Sequence, residues 1–186
     1  MIKIDNILCE GVAYKTIKYK ALRSCYKTWL SNLNENERKA FKRYRCRCNI
    51  KNNVNEKLRL NKDCPDAMIM SAALKKSNSP HNLVVFRSID KNENVFMSKL
   101  NPGEEYVNYD FKGTHVYDRI PNRYWSSSGY ILYLIPQGYP AAYINNVTLY
   151  AWWEKELIID VNSTCELIEV REINKKPCYI VKAVII

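Results

Sequence analysis

Two rhythms of apolar and polar residues divide the chain. Up to about residue 80 the pattern is helical, and from Leu83 onward it changes to short β-branched and aromatic runs bounded by turn residues. Asn34-Glu35-Asn36-Glu37 has the form of a capping box, with Asn34 as cap and Glu37 reaching back, and opens a helix through Ala40, Phe41 and Tyr44. A second short helix ends over Lys57 to Leu60. Asp63-Cys64-Pro65-Asp66 starts a third, Ala67 to Leu74, whose apolar breadth predicts burial on more than one side. Strands are predicted at about 83–88, 106–111, 130–135, 141–144, 155–161, 165–173 and 177–186. Turns fall at Asn101-Pro102-Gly103 and Pro136-Gln137-Gly138. Because strands and helices do not alternate, the expected class is α+β: a helical amino-terminal part packed on a mostly antiparallel, sandwich-like β-core.

The 186 residues suit one domain, with 1–80 mainly helical and basic and 81–186 mainly β. No repeat or low-complexity linker interrupts it. The start lacks a basic segment followed by an apolar one, and no apolar run approaches the roughly 18 residues that span a bilayer. The expectation is therefore an intracellular, cytoplasmic site of action without a membrane span, whether in the cell that makes the protein or in one that receives it. Seven cysteines, an odd number, suit neither a disulfide framework nor a zinc site, so free or structural thiols and no metal are expected. The net charge of +10 is concentrated: Lys15 to Lys62 holds 15 Lys and Arg against 3 Asp and Glu, while residues 63–186 hold 13 against 14. Such a field attracts nucleic acid, an acidic protein surface or a phosphate-bearing small molecule, and equally describes a solvated helical arm.

Candidate chemistry narrows the choice. Glu154 and Glu156 stand two apart at the head of the run Glu156-Leu157-Ile158-Ile159, a spacing that in a strand projects both carboxylates from one face. The tripeptide alone also describes a charged strand edge. Far upstream, Leu83-Val84-Val85-Phe86-Arg87-Ser88 ends an apolar strand in an arginine, whose planar fork can hold phosphate oxygens bidentately.

Taken together these segments resemble the mono-ADP-ribosyltransferase toxin family, in its arginine-serine-glutamate class of binary-toxin and C3-like enzymes and small phage transferases. The resemblance covers roughly residues 34 to 172. Val84-Val85-Phe86-Arg87 is similar to the family's first strand, whose arginine grips the dinucleotide diphosphate. Val54-Asn55-Glu56-Lys57-Leu58-Arg59 resembles the helix lining the dinucleotide cleft, which makes Asn55 and Arg59 binding candidates. Tyr130 to Gly138, followed by Ala141-Ala142-Tyr143-Ile144, resembles the family's strand, turn and following segment, and Glu154-Lys155-Glu156 falls where the family keeps Glu-x-Glu.

What the resemblance implies is NAD as substrate and transfer of ADP-ribose to a protein target presenting an arginine. Glu156 would stabilise the oxocarbenium-like ribosyl group. Glu154 would draw a proton from the acceptor guanidinium, which is otherwise protonated up to a pKa above about 12. In the C3-like branch the first position is glutamine and the acceptor asparagine, so Glu154 favours arginine. The loop from Asn145 to Trp153, with Tyr150, Trp152 and Trp153, occupies the family's target-recognition turn.

One motif departs from the family pattern. The aromatic-x-Ser-Thr-Ser segment, whose first serine supports the catalytic glutamate, matches Phe111-Lys112-Gly113-Thr114-His115 in spacing and Tyr124-Trp125-Ser126-Ser127-Ser128 in letters. The first placement is favoured, since an intervening helix or loop normally separates the motif from the next strand. Phe111 and Thr114 are then cleft residues, Gly113 lacks the serine hydroxyl, and His115 is a candidate substitute donor. Two rival readings remain open: a silent member of the fold whose basic first third binds nucleic acid or an acidic protein, and a transferase whose acceptor is nucleic acid.

Overall fold

Residues 2–4, 6–45, 53–121, 124, 126–145, 147 and 155–185 are described by a computed structural model. Three short strands precede the helices: β1 (Ile2–Lys3), and a hairpin of β2 (Ile7–Cys9) and β3 (Val12–Tyr14). These strands, none of them in the predicted set, add to a first third otherwise made of helices. The hairpin closes through Glu10 and Gly11, both at positive φ (50° and 76°), a two-residue turn matched to strand twist that the two-residue signature Glu-Gly announces only weakly.

Helices α1 (Tyr19–Cys25), α2 (Lys27–Asn32), α3 (Glu35–Arg45), α4 (Val54–Arg59) and α5 (Pro65–Leu74) follow. The capping box forms as expected: Asn34 N donates to Glu37 Oε2 at 2.8 Å and Glu37 N to Asn34 Oδ1 at 2.9 Å, satisfying backbone donors that a helix start leaves over. Asn53 caps α4 in the same manner, accepting from Asn55 N and Glu56 N. The apolar breadth of α5 is misleading. Ala67, Met70, Ala73 and Leu74 are buried, but Met68 is 73% exposed, so α5 covers the core with a single face. Trp29 of α2 ties the layer together, donating Nε1–H to Ala73 O at 3.0 Å and meeting Phe41 edge-on at 5.7 Å.

After β4 (Leu83–Ile89) comes α6 (Lys91–Met97), unexpected from the sequence because only Val95, Phe96 and Met97 are apolar in it. Asp90 caps it, its Oδ1 accepting from Glu93 N at 2.9 Å. The remaining strands are β5 (Glu105–Asn108), β6 (Lys112–His115), β7 (Arg119–Ile120), β8 (Gly129–Ile135), β9 (Ala141–Tyr143), β10 (Glu156–Ile159), β11 (Ser163–Ile173) and β12 (Lys176–Ala183). β6 and β7 lie outside the predicted set, and the strand predicted at 106–111 ends at Asn108 because the chain bends at Tyr109 and Asp110.

Eight strands form one sheet in the order β5-β11-β12-β8-β4-β6-β10-β9, antiparallel except for β12 with β8. Alternation sends Leu83, Val85, Ile131, Tyr133, Tyr179 and Val181 into one core, under Leu22, Phe41, Val54, Met70 and Leu74 of the helices. Val84, Phe86, Leu132, Leu134 and Ile180 point the other way, into a second core closed by Ile4, Ile7 and Tyr14. Burial on both faces makes β8 an unbroken apolar run. The five strands β5 to β4 and the three strands β6, β10 and β9 join through a single residue pair, Phe86 with His115. The sandwich-like core is thus two part-sheets meeting at one junction, and Arg87 follows Phe86 immediately.

Candidate active site

Gly113 is where the two part-sheets bring their chemistry together. Arg87, at the end of β4, donates Nη1–H to Gly113 O at 3.0 Å. On β10, Glu156 stands opposite His115 and Ile158 opposite Gly113, which places Glu156 diagonally across from the glycine. A Cβ built on Gly113 would lie 2.3 Å from Glu156 Oε1, so the carboxylate rests on the glycine and nothing larger fits without displacing it. Helix α3 reaches the same point. Tyr44 Oη donates to Glu156 Oε1 at 3.5 Å, and Arg45 Nε lies 3.3 Å from Glu156 Oε2. The strand is held from behind by Asn145, whose Oδ1 accepts Glu156 N at 2.8 Å. Lys155 enters the strand at φ 46°, with its ammonium over the rings of Tyr19 (4.0 Å) and Tyr117 (4.8 Å).

A line of alternating charges leads away from Arg87. Its Nε lies 3.2 Å from both oxygens of Glu93; Lys112 Nζ is 3.3 Å from Glu93 Oε1 and 2.8 Å from Asp110 Oδ1; Arg59 Nε donates to Asp110 Oδ2 at 2.7 Å. Burial works against the charge on Arg87, but Glu93 outweighs it and raises the guanidinium pKa, keeping it a fixed cation. Burial likewise opposes ionisation of Asp110, and Lys112 and Arg59 overcome it, holding the carboxyl below its usual range. Burial first, and then the charge of Glu156, push the Tyr44 phenol well above the usual 10, so it stays neutral and able to donate. Beside Arg87 opens a cavity of about 430 Å³ lined by Ser88, Asp90, Tyr124, Ser126, Ser127 and Ser128. A partly buried cation beside serine hydroxyls suits a ligand with phosphate and sugar groups.

Of the residues singled out by sequence, Arg87, Asn55, Arg59, Phe111, Thr114 and Glu156 come together around β6, while Glu154, Tyr150, Trp152 and Trp153 lie outside the described residues, as do Cys46 and Cys48. Three of these side chains make contacts within the protein. Phe111 is fully buried and packs edge-on to Tyr44 at 6.0 Å. Thr114 is fully buried and donates Oγ1–H to Leu157 O at 2.8 Å. Asn55 clamps the backbone of Phe111, donating Nδ2–H to its carbonyl at 2.8 Å and accepting its N–H at 3.1 Å. Expected from sequence to line the cleft, all three make contacts that hold β6 in place; Phe111 and Thr114 are fully buried, while Asn55 is partly exposed. The competing serine run lines the cavity beside Arg87, and Tyr124 stacks on His115 at 4.8 Å.

Sequence reading passed over Tyr44, Arg45, Glu93 and Asn145. Only Glu93 left a signal, the Asp90-x-x-Glu93 capping pattern; Tyr44 and Arg45 act across more than a hundred residues of chain, and Asn145 across a stretch of sequence with no regular pattern. Among the described residues no group of three or more His, Cys, Asp or Glu could hold a metal, and the five described cysteines are free.

Residues 23–186 match the family model described as ADP-ribosyltransferase exoenzyme. A search of curated proteins by sequence finds no match. Among solved structures the fold is similar to Plx2a, an ADP-ribosyltransferase toxin from Paenibacillus larvae, with a TM-score of 0.75, 15% identity and coverage of 89% of this chain and 94% of that one. The C3 exoenzyme of Clostridium limosum gives a TM-score of 0.75 at 16% identity over 94% and 98%. The ADP-ribosylating toxin BECa of a C. perfringens binary enterotoxin, solved with NADH, gives 0.74 at 17% identity, covering 97% of this chain and 54% of the longer one.

Proposed function

Because the chain belongs to the ADP-ribosyltransferase exoenzyme family, and is an NAD-dependent ADP-ribosyltransferase, we propose that it transfers a single ADP-ribose to an arginine of a protein target inside a cell. The observation that carries the reading is the convergence of Arg87 and Glu156 on Gly113, a fixed cation and a carboxylate within one residue of each other. NAD, the substrate, supplies the ribosyl carbon whose bond to the nicotinamide nitrogen breaks as the bond to the acceptor nitrogen forms. Arg87, held by Glu93 and the Gly113 carbonyl, receives the diphosphate; Glu156 faces the sugar, where a carboxylate favours developing positive charge. Glu154, two positions earlier, takes the proton that the acceptor guanidinium loses. Among the described residues no helix is long and apolar enough to cross a membrane.

Agmatine, a small guanidinium, tests the acceptor. The purified protein with NAD should form ADP-ribosyl-agmatine, detected by mass spectrometry, and Glu154→Gln should lose that product while still releasing nicotinamide. Formation of a product with an asparagine side chain and none with agmatine would overturn the arginine assignment.

A second reading has support of its own. Lys15, Lys18, Lys20, Arg23 and Lys27 are all exposed on and around α1, a stretch of chain without an acidic residue. Such a cluster suits nucleic acid as an additional partner. A salt-sensitive mobility shift with RNA or DNA that persists in Glu156→Gln would establish it as an activity separate from transfer.

A further inference from the structure

We propose that Tyr44, near the carboxyl end of α3, is the positioning residue of Glu156, replacing from the helical layer a hydroxyl that the neighbouring strand does not supply; this rests on Glu156 being the catalytic carboxylate. The register of β6 with β10 sets Gly113 where a side chain would lean on that carboxylate. Glycine leaves the space empty, and Glu156 Oε1 fills it, 2.3 Å from where a Cβ would be. The same imagined Cβ lies 3.2 Å from Tyr44 Oη. The tyrosine hydroxyl therefore stands where a substituent on residue 113 would meet the carboxylate.

Three features suit Tyr44 to orient rather than merely fill space. Its ring is fixed edge-on against fully buried Phe111, at 6.0 Å and 75°. Its hydroxyl donates to Oε1 at 3.5 Å, while Arg45 Nε, on a side chain only 2% exposed, approaches Oε2 at 3.3 Å, so consecutive residues of one helix address both oxygens. A neutral phenol orients a carboxylate without adding charge. The glutamate is thereby tied to α3 as well as to the sheet, and the geometry of transfer depends on how α3 seats against β6 and β10.

The test is a double-mutant cycle read by nicotinamide release, with NAD affinity measured by calorimetry. Tyr44→Phe keeps the ring and its packing, so folding and the Kd for NAD should stay as in the parent while kcat falls about tenfold, the effect of losing one orienting hydrogen bond. In the Glu156→Gln background, read on its residual turnover, the same Tyr44→Phe change should cost less than about twofold, since the hydroxyl acts only through the carboxylate. Parental kcat in Tyr44→Phe, or the full tenfold loss in both backgrounds, would overturn the proposal. Glu156→Gln, run alongside, separates the two levels: if that variant releases nicotinamide like the parent, the catalytic assignment of Glu156 fails, whereas a dead Glu156→Gln beside a fully active Tyr44→Phe removes only the role of Tyr44.

Discussion

Arg87 shows how one residue acquires its function from neighbours that the sequence places far away. The arginine itself was legible because it ends an apolar strand, where a charge is out of character, but its orientation depends on Glu93 and on the carbonyl of Gly113. Both contacts use the geometry of a guanidinium fork, which lysine lacks. Arg87→Lys should accordingly keep a positive charge in place and still weaken NAD binding about tenfold by calorimetry, because the ammonium cannot hold Glu93, Gly113 and a diphosphate together. An unchanged Kd would mean that charge alone suffices. The same scale applies to Asn55, Phe111 and Thr114, which lie together around β6: Asn55 bonds the Phe111 backbone through its amide, and Thr114 bonds Leu157 through its hydroxyl. Residue type and spacing predict proximity more readily than the direction in which a side chain points.

Elements inherit their positions from local signals where those signals are strong. The Asn34 box starts α3 where a polar residue followed three positions later by glutamate says it should, and it thereby sets where Tyr44 and Arg45 emerge at the other end. α6 and β6 carried weak signals: seven residues with little amphipathy, and four residues including a glycine and two cations, formed because β4 and β10 provide partners. β6 is then secured electrostatically, through Asp110 at its entrance between Arg59 and Lys112. With the folded carboxyl held below the ordinary 3.8, the unfolded chain takes up the proton first on acidification. The stabilisation is therefore complete above about pH 5 and is lost as pH falls through the folded value. Asp110→Asn should lower stability by about 2 kcal/mol at neutral pH and by progressively less as pH falls below the ordinary carboxylate value, measured by urea unfolding at each pH. A difference independent of pH would indicate a packing effect.

At the scale of the whole molecule, the division into a basic helical layer and a β-core was open to reading because the apolar period changes near residue 80 and strands and helices do not alternate. What no local pattern could show is the junction. Phe86 and His115 are the one pair joining the two part-sheets, and that contact is what sets Arg87 of one beside Gly113 and Glu156 of the other. Order of motifs along the chain could be matched to a family; their meeting depends on register across three strands and on a helix that arrives from the opposite layer. The exposed basic cluster around α1 shares no residue with the carboxylate site, although Arg45 and Arg59 of the same basic third do reach it, so binding by that cluster and transfer can be tested independently. The central claim is that Glu156, resting on Gly113, is the group on which NAD cleavage depends. It is tested most directly by nicotinamide release from NAD by the parent protein and by Glu156→Gln, at equal NAD saturation. The account predicts a loss of about a hundredfold to a thousandfold in kcat with NAD binding retained; release at the parental rate by Glu156→Gln would contradict it.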